Sequence, residues 1–385
     1  MTAIAEDSRG LQFRLTACYI AVFLAPGIGL PFWPTWLESR HLSDLQIGLL
    51  LAVGPWVKLV GNPLFSQAAD RLGNARLILI AAIVASLGFH TAYLQTGGFW
   101  AILAVAVFAT MSITNMVPLT DGMTIQFCNA RGLQYGRLRL WGSISFMGAS
   151  LAAGSILEGR SADYVLYLML GALVVALVAA IALPRPAGPP PHRVPGGWLA
   201  LIADRRLMLF LAAASLVQSS HAMLYSFSTL YWLRSGYTES DIGLIWTITV
   251  IAEIIMFAMG GAVLRRTGFA GLLAIGAAAG ILRWSLAAFF IGWPALIAIG
   301  LLHSLTFAAT HLAAMSYLGR HVAPGLAASA QGLYGVMASG PLIGLSMLAS
   351  GWLFQTVGGF GFLAMAAMCA GSLIIALAFP KDEST

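Results

Sequence analysis

The sequence predicts an all-α membrane protein of twelve transmembrane helices, arranged as two pseudo-symmetric bundles of six, and three observations carry that prediction. Of 385 residues, 59% are hydrophobic and only 9% charged, with a mean hydropathy of +0.86; soluble domains carry about 25% charged residues. Apolar runs of about 20 residues recur along the whole chain, and in lipid such runs must satisfy their backbone internally, as helices. Sliding the sequence on itself by 195 residues brings "SDLQIGLL" (43–50) over "TESDIGLI" (238–245) and "ADRLGNARLI" (69–78) over "LRRTGFAGLL" (264–273). Ile47, Gly48, Arg71 and Gly73 then coincide with Ile242, Gly243, Arg266 and Gly268, at the start of the second helix of each half and in the loop after it.

The first helix is placed at 13–37, an apolar run ending on the aromatic "LPFWPTWL". The second, 45–69, is long enough to cross a bilayer yet carries Lys58 near its middle, at a cost of about 2.5–3.5 kcal/mol on the insertion scale. The third (76–95) holds His90, the fourth (99–127) Asp121, the fifth (138–157) Arg139 near its start, and the sixth (163–183) is apolar throughout. Helix seven (207–232) contains "VQSSHAMLYSFSTLYW" with His221 and Tyr225; helix eight (241–264) carries Glu253 and helix nine (270–291) Arg283. Helix ten (293–319) places His303 and His311 two turns apart, close to one face. Helix eleven (327–350) has small residues suited to close packing, and helix twelve is placed at 358–379.

The Pro-rich interval "LPRPAGPPPHRVPGGW" (183–198) cannot be helical and divides the chain near its middle. We therefore expect an N-terminal bundle over 1–183, a cytoplasmic linker over 184–206 and a C-terminal bundle over 207–385. With the N-terminus inside, fifteen Lys and Arg residues fall on the cytoplasmic side against Arg40, Arg160 and Arg234 outside. That bias places both termini in the cytoplasm, so the net charge of +6 reflects topology, not nucleic-acid binding. The first apolar run is too long for a signal-peptide core and is read as retained. Cys18, Cys128 and Cys369 lie in or beside separate helices and are read as packing residues. No nucleotide loop, metal-ligand cluster or paired catalytic motif occurs, which argues against an enzyme and against any metal or organic cofactor.

The charges that no loop can absorb are Lys58, Asp121, Arg139, Glu253 and Arg283. Each is either a structural ion pair between helices or part of a substrate or proton pathway, the usual role of ionisable groups at membrane depth. The 195-residue shift lays Lys58 on Glu253, so equivalent positions hold opposite charges that meet each other or both face a substrate. Taken as ionised, the five groups leave one surplus positive charge, which suits a monoanionic substrate. His221 and His303 are either hydrogen-bonded packing residues or part of a proton path. Trp56 and Tyr225, near mid-membrane, are core or belt residues or a stacking surface for an aromatic ring.

"LPFWPTWL" (30–37), "NPLFSQAADRLG" (62–73) and "YGRLRLWGS" (135–143) resemble the lactose permease branch of the major facilitator superfamily. "VPLTDG" (117–122), "LVQSSHAMLYSFSTLYW" (216–232), "VIAEIIMFA" (250–258), "LRWS" (282–285) and "LLHSLTFAATHLAAMSYL" (301–318) are similar to the phenylpropionate permease family within it, over nearly the whole chain. Parallel six-helix repeats are that superfamily's architecture. Asp70, Arg71, Gly73 and Arg76 match its loop motif between helices two and three, which implies a gating role, while Asn74 and Ala75 depart from the usual basic pair. The resemblance implies that Asp121 and Arg139 pair at the substrate site and that Glu253, Arg283 and His303 form the proton-coupling site. The family pattern has a glutamate three residues after the helix-ten histidine; Thr306 stands there, leaving Glu253 to take the proton. The basic residue at 58 tilts the substrate from sugar toward carboxylate.

The expected function is secondary active transport: proton-coupled import of a small aromatic monocarboxylate by alternating access, with Lys58, Trp56, Asp121, Arg139, His221 and Tyr225 contacting the substrate. A sugar or nucleoside importer is the alternative, and drug efflux a weaker one. Expected partners are the small-molecule substrate and the lipid bilayer of a bacterial cytoplasmic membrane, with the proton as coupling ion and a monomer as the working unit.

Overall fold

The structure, a computed structural model, describes residues 2–185, 197–323 and 326–379, among which no strand occurs. Ten helical runs among these residues are long and apolar enough to cross a membrane. Two of these, Glu239–Phe289 and Ser329–Ala378, have 51 and 50 residues. At 1.5 Å per residue either would be about 75 Å long, more than twice the hydrocarbon thickness, so each must cross twice. The crossings among the described residues therefore number twelve. We label them α1 (Arg9–Ser39), α2 (Asp44–Leu72), α3 (Ala75–Gln95), α4 (Phe99–Arg131), α5 (Tyr135–Leu157), α6 (Asp163–Ala182) and α7 (Arg205–Arg234). The remainder are α8 (239–267), α9 (269–289), α10 (Trp293–His321), α11 (Ala327–Ser339 and Pro341–Val357) and α12 (Phe362–Ala378).

The break that separates α8 from α9 is Gly268, at φ +64°. Its counterpart under the 195-residue shift, Gly73, turns the chain between α2 and α3 at φ +57°. Left-handed backbone is cheap only for glycine, so the repeat legible in sequence marks the same turn twice. Outward faces are apolar, with Trp100, Ile374 and Leu377 at least 71% exposed, as a lipid-facing surface requires. Of the linker expected over 184–206, residues 186–196 lie outside the described residues; its far end, including 197 and 198 of the interval read as non-helical, forms a short helix, Gly197–Ala203, beyond the last proline, and Arg205 and Arg206 already open α7.

By contact the chain divides into two units. The first comprises 1–42, 56–191 and 238–244; the second comprises 43–55, 192–237 and 245–385. In the first unit α1 runs along α5 and α6. Pro31 lies inside α1 and has no N–H to give the carbonyl of Gly27 four residues back. Ser150 Oγ on α5 donates to that carbonyl at 2.7 Å, replacing from a neighbour what proline removes, and Ser145 Oγ donates to Ile20 O at 2.7 Å as a second tie between the helices. In the second unit α7 is surrounded by α10, α11 and α12, with Ser372 Oγ donating to Ala213 O at 2.8 Å.

Each unit also holds the opening turns of a second helix at a tight crossing. In the first, a Cβ on Gly154 of α5 would stand 2.4 Å from Glu239 O, and one on Gly243 would stand 2.7 Å from Ser150 O. In the second, a Cβ on Gly351 of α11 would stand 2.9 Å from Asp44 O, and one on Gly48 2.9 Å from the Gly351 Cα. Asp44 and Glu239 are equivalent under the 195-residue shift, so the crossing, like the turn, is built twice.

Candidate functional site

In the first unit, Asp121 on α4 is reached from two helices. Tyr19 Oη on α1 donates to Asp121 Oδ1 at 2.6 Å, and Arg139 Nε on α5 lies 3.7 Å from the same oxygen. The guanidinium carbon of Arg139 sits 4.2 Å from the centre of the Phe23 ring, a cation–π contact that positions the fork without a second acid. Asp121 and Arg139 thus meet, as the resemblance implied, and the arginine's charge is offset inside its own unit. Pro118, which cannot donate to the carbonyl of Thr114, accompanies a break of α4 at Thr114–Asn115 just before this cluster.

Lys58 on α2 is half-buried and, among the described residues, makes no hydrogen bond or ion pair within its unit. Trp56, 41% exposed, stacks on no described ring in that unit. The structure therefore brings Asp121 and Arg139 together but leaves Lys58 and Trp56 apart from them.

The second unit holds the histidines. Arg283 on α9 is fully buried; Nε donates to Ile299 O at 2.8 Å and Nη1 to Thr306 Oγ1 at 2.9 Å. His221 Nδ1 faces two carbonyls, Gln218 O at 3.0 Å and Val217 O at 3.1 Å. Those acceptors require the proton on Nδ1, so in the neutral ring Nε2 accepts from Thr306 Oγ1 at 3.1 Å. The Thr306 hydroxyl, whose one proton also has His303 O within 3.2 Å, links Arg283 to His221. Thr306, where the family pattern has a glutamate, is the hinge of that link and makes it neutral on the acceptor side. Trp284 Nε1 donates to Ser220 Oγ at 2.9 Å beside it.

His303 Nε2 lies 3.6 Å from Glu253 Oε2, and its ring packs edge-on to His221 at 5.1 Å and flat on Phe307 at 5.2 Å. Its Nδ1 is buried without a hydrogen-bond partner. Glu253 is thus beside His303. Tyr225 lies between His221 and Trp246, near parallel to both, with centroids 5.6 and 6.2 Å away. Two backbone irregularities frame the cluster: α7 breaks at Ser220–His221, and α10 contains a π-helical segment, Ser304–Ala309, directly after His303. Such wide turns gather at functional sites.

Thr306→Val removes the acceptor of Arg283 Nη1 and the partner of His221 Nε2. We expect a loss of about 1–2 kcal/mol in stability, read as a lowered unfolding temperature in detergent. Thr306→Ser, which keeps the hydroxyl, should stay close to the parent.

In the α2–α3 turn, Asp70 and Arg71 are exposed. Asn74 caps α3 by accepting the Leu77 N–H at 3.1 Å, which accounts for its place in a motif where a basic residue is usual. Arg76 donates through Nε to Ala180 O at 3.3 Å and through Nη2 to Ile181 O, and Arg14 donates to Ala182 O at 3.4 Å. Both arginines therefore satisfy the last carbonyls of α6.

Tyr19 and Phe23 carry no mark in the sequence, whereas Trp246 is one of the aromatic residues that crowd these helices. Tyr19 carries no charge, and the one signal it offered was a phenol within the apolar run of α1.

Residues 12–364 match the model of the MFS_1 like family over most of the chain. The chain belongs to the MFS_1 like family. It is a multi-pass membrane transporter of the major facilitator type. This MFS_1 like chain is 32% identical over 367 residues, 93% of itself and 95% of the relative, to the Escherichia coli K12 protein named "Probable 3-phenylpropionic acid transporter". It is 28% identical, over 69% of itself and 68% of the relative, to the maltose permease of Geobacillus stearothermophilus. Among solved structures, the nucleoside transporter NupG superposes with a TM-score of 0.83 at 17% identity, covering 96% of this chain and 98% of that one; at that identity the likeness is one of fold.

Proposed function

We propose that the chain is a proton-coupled importer of a small aromatic monocarboxylate such as 3-phenylpropionate, working by alternating access in a bacterial cytoplasmic membrane with both termini inside. The observation that carries this reading is the state of the two membrane-depth cations in the first unit. Arg139 is offset by Asp121, whereas Lys58 has no counter-charge there among the described residues. A cation at membrane depth is costly unless an anion joins it, and a substrate carboxylate supplies one. The relative of 32% identity, named for an aromatic acid, supports the same class.

In this reading Lys58 anchors the carboxylate, while Arg139 is held by Asp121 and Phe23 to orient it. Tyr225, parallel to Trp246, contacts the ring, and Trp56 is a second ring contact. Glu253 takes the coupling proton, with His303 at 3.6 Å steadying the carboxylate. Arg283 and His221, tied through Thr306, fix the backbone around α10. Arg76, bound to the end of α6, and Asp70, Arg71 and Gly73 form the hinge that moves between states.

The test is uptake into proteoliposomes under an imposed proton gradient, with 3-phenylpropionate, maltose and uridine as candidate substrates. We expect accumulation of the acid alone, accompanied by proton entry. Lys58→Met should weaken its affinity about tenfold or more, the loss of one charge-assisted bond. Accumulation of maltose or uridine instead would favour the second reading, a sugar or nucleoside importer, for which the Tyr19–Asp121–Arg139 cluster offers hydroxyl-binding groups.

A further inference from the structure

His311 plays no part in the scheme above, yet it lies on the same helix as His303, eight residues further on. In a regular α-helix each residue advances about 100°, so eight residues leave two side chains about 80° apart. The π-helical segment Ser304–Ala309 lies between them. A π segment absorbs one extra residue, which leaves seven effective steps and brings the two imidazoles within about 20° of one face. The irregularity therefore aligns His303 and His311.

That face looks toward α8. His303 Nε2 is 3.6 Å from Glu253 Oε2. Phe257, one turn beyond Glu253, meets His311 edge-on with centroids 6.2 Å apart. Glu253 lies one helical turn from Phe257 and so on the side of α8 that His311 meets. Tyr334 on α11 packs 5.8 Å from the His311 ring, and its hydroxyl accepts from Gln218 Nε2 at 3.4 Å. Glu253 and Tyr334 are the titratable groups facing His311 from neighbouring helices, and His303 is the one on its own helix. His311 is half-buried, and the direction from Glu253 to Phe257 leads toward the α8–α9 turn at Gly268.

We propose that His311 is a second proton carrier: it accepts the proton released by Glu253 and passes it toward the Gly268 end of the molecule. In that step the O–H bond of Glu253 breaks, an N–H bond forms on His311, the carboxylate regains its charge, and the ring then gives the proton to water at that end. This inference rests on the proton-coupled reading, and it adds the exit route.

The experiment compares two modes of transport in the same proteoliposomes, using radiolabelled 3-phenylpropionate. Exchange at equal concentration on both sides needs no net proton release; net flow down a substrate gradient does. For His311→Gln and His311→Asn we expect the ratio of net flow to exchange to fall about tenfold, within the range general acid–base groups contribute, and the pH dependence of net flow to flatten. Because the ratio is internal to each preparation, it is insensitive to how much of the variant is folded. An unchanged ratio in both variants, with a parent protein that moves protons with substrate, overturns the role of His311. A parent protein that moves substrate without protons overturns the coupled reading itself.

Discussion

Glu253→Gln should leave the protein able to exchange 3-phenylpropionate but unable to concentrate it. Glutamine matches glutamate in shape and keeps a polar contact for His303, now 3.6 Å from the carboxylate, yet it can neither release nor take up a proton. A carrier whose cycle no longer binds the proton gains nothing from the proton gradient, since a ligand biases an equilibrium only by its differential binding. Accumulation under an imposed gradient should fall to the level set by substrate equilibration, while exchange survives. Full gradient-driven accumulation in this variant would remove Glu253 from the coupling step.

The second large effect is steric. A side chain at Gly154 would enter the space of the Glu239 carbonyl, which even a Cβ would approach to 2.4 Å. The obstacle is backbone, which cannot rotate away, so Gly154→Leu should cost about 3 kcal/mol or more in that contact. The alternative to that cost is for the start of α8 to lift from α5. A Cβ at Gly154 would also stand 3.3 Å from the Ser240 Cα, so residue 240 reports on that movement. We expect Ser240→Cys to react with a maleimide much faster in the Gly154→Leu background than in the parent. Equal labelling would mean that α5 shifts to accommodate the leucine.

The fold was written in composition and periodicity. Twelve apolar runs, a proline-rich interval and a repeated Gly at 73 and 268 determined the element count and the two turns. The sites were only half legible. Asp121, Arg139, Glu253 and His303 announced themselves as charges or imidazoles in oil, and the pairs they form follow the resemblance. Tyr19 did not, because a phenol in a membrane helix is ordinary until its partner is known. Asn74 and Thr306 looked like departures from a pattern; the one caps a helix and the other joins Arg283 to His221. Least legible was backbone geometry. Proline marks where α4 breaks, but α7 breaks with none, at a serine and a histidine whose side chains bond to carbonyls of the preceding turn.

The π segment of α10 makes the length of that helix as informative as its composition. Removing one residue from 304–309 would restore regular winding and leave everything beyond it, His311 and Tyr317 included, facing as now relative to His303, because seven regular steps turn as far as eight with one absorbed in the π turn. Tyr317 now lies flat against Phe210 at 4.1 Å; regular winding at unchanged length would instead turn it by about 100° and break both that stack and the alignment of the two histidines. A single-codon deletion inside this stretch is therefore a milder change to the helix beyond it than one that straightens the π turn at full length, and relatives can be sorted by whether they keep the extra residue.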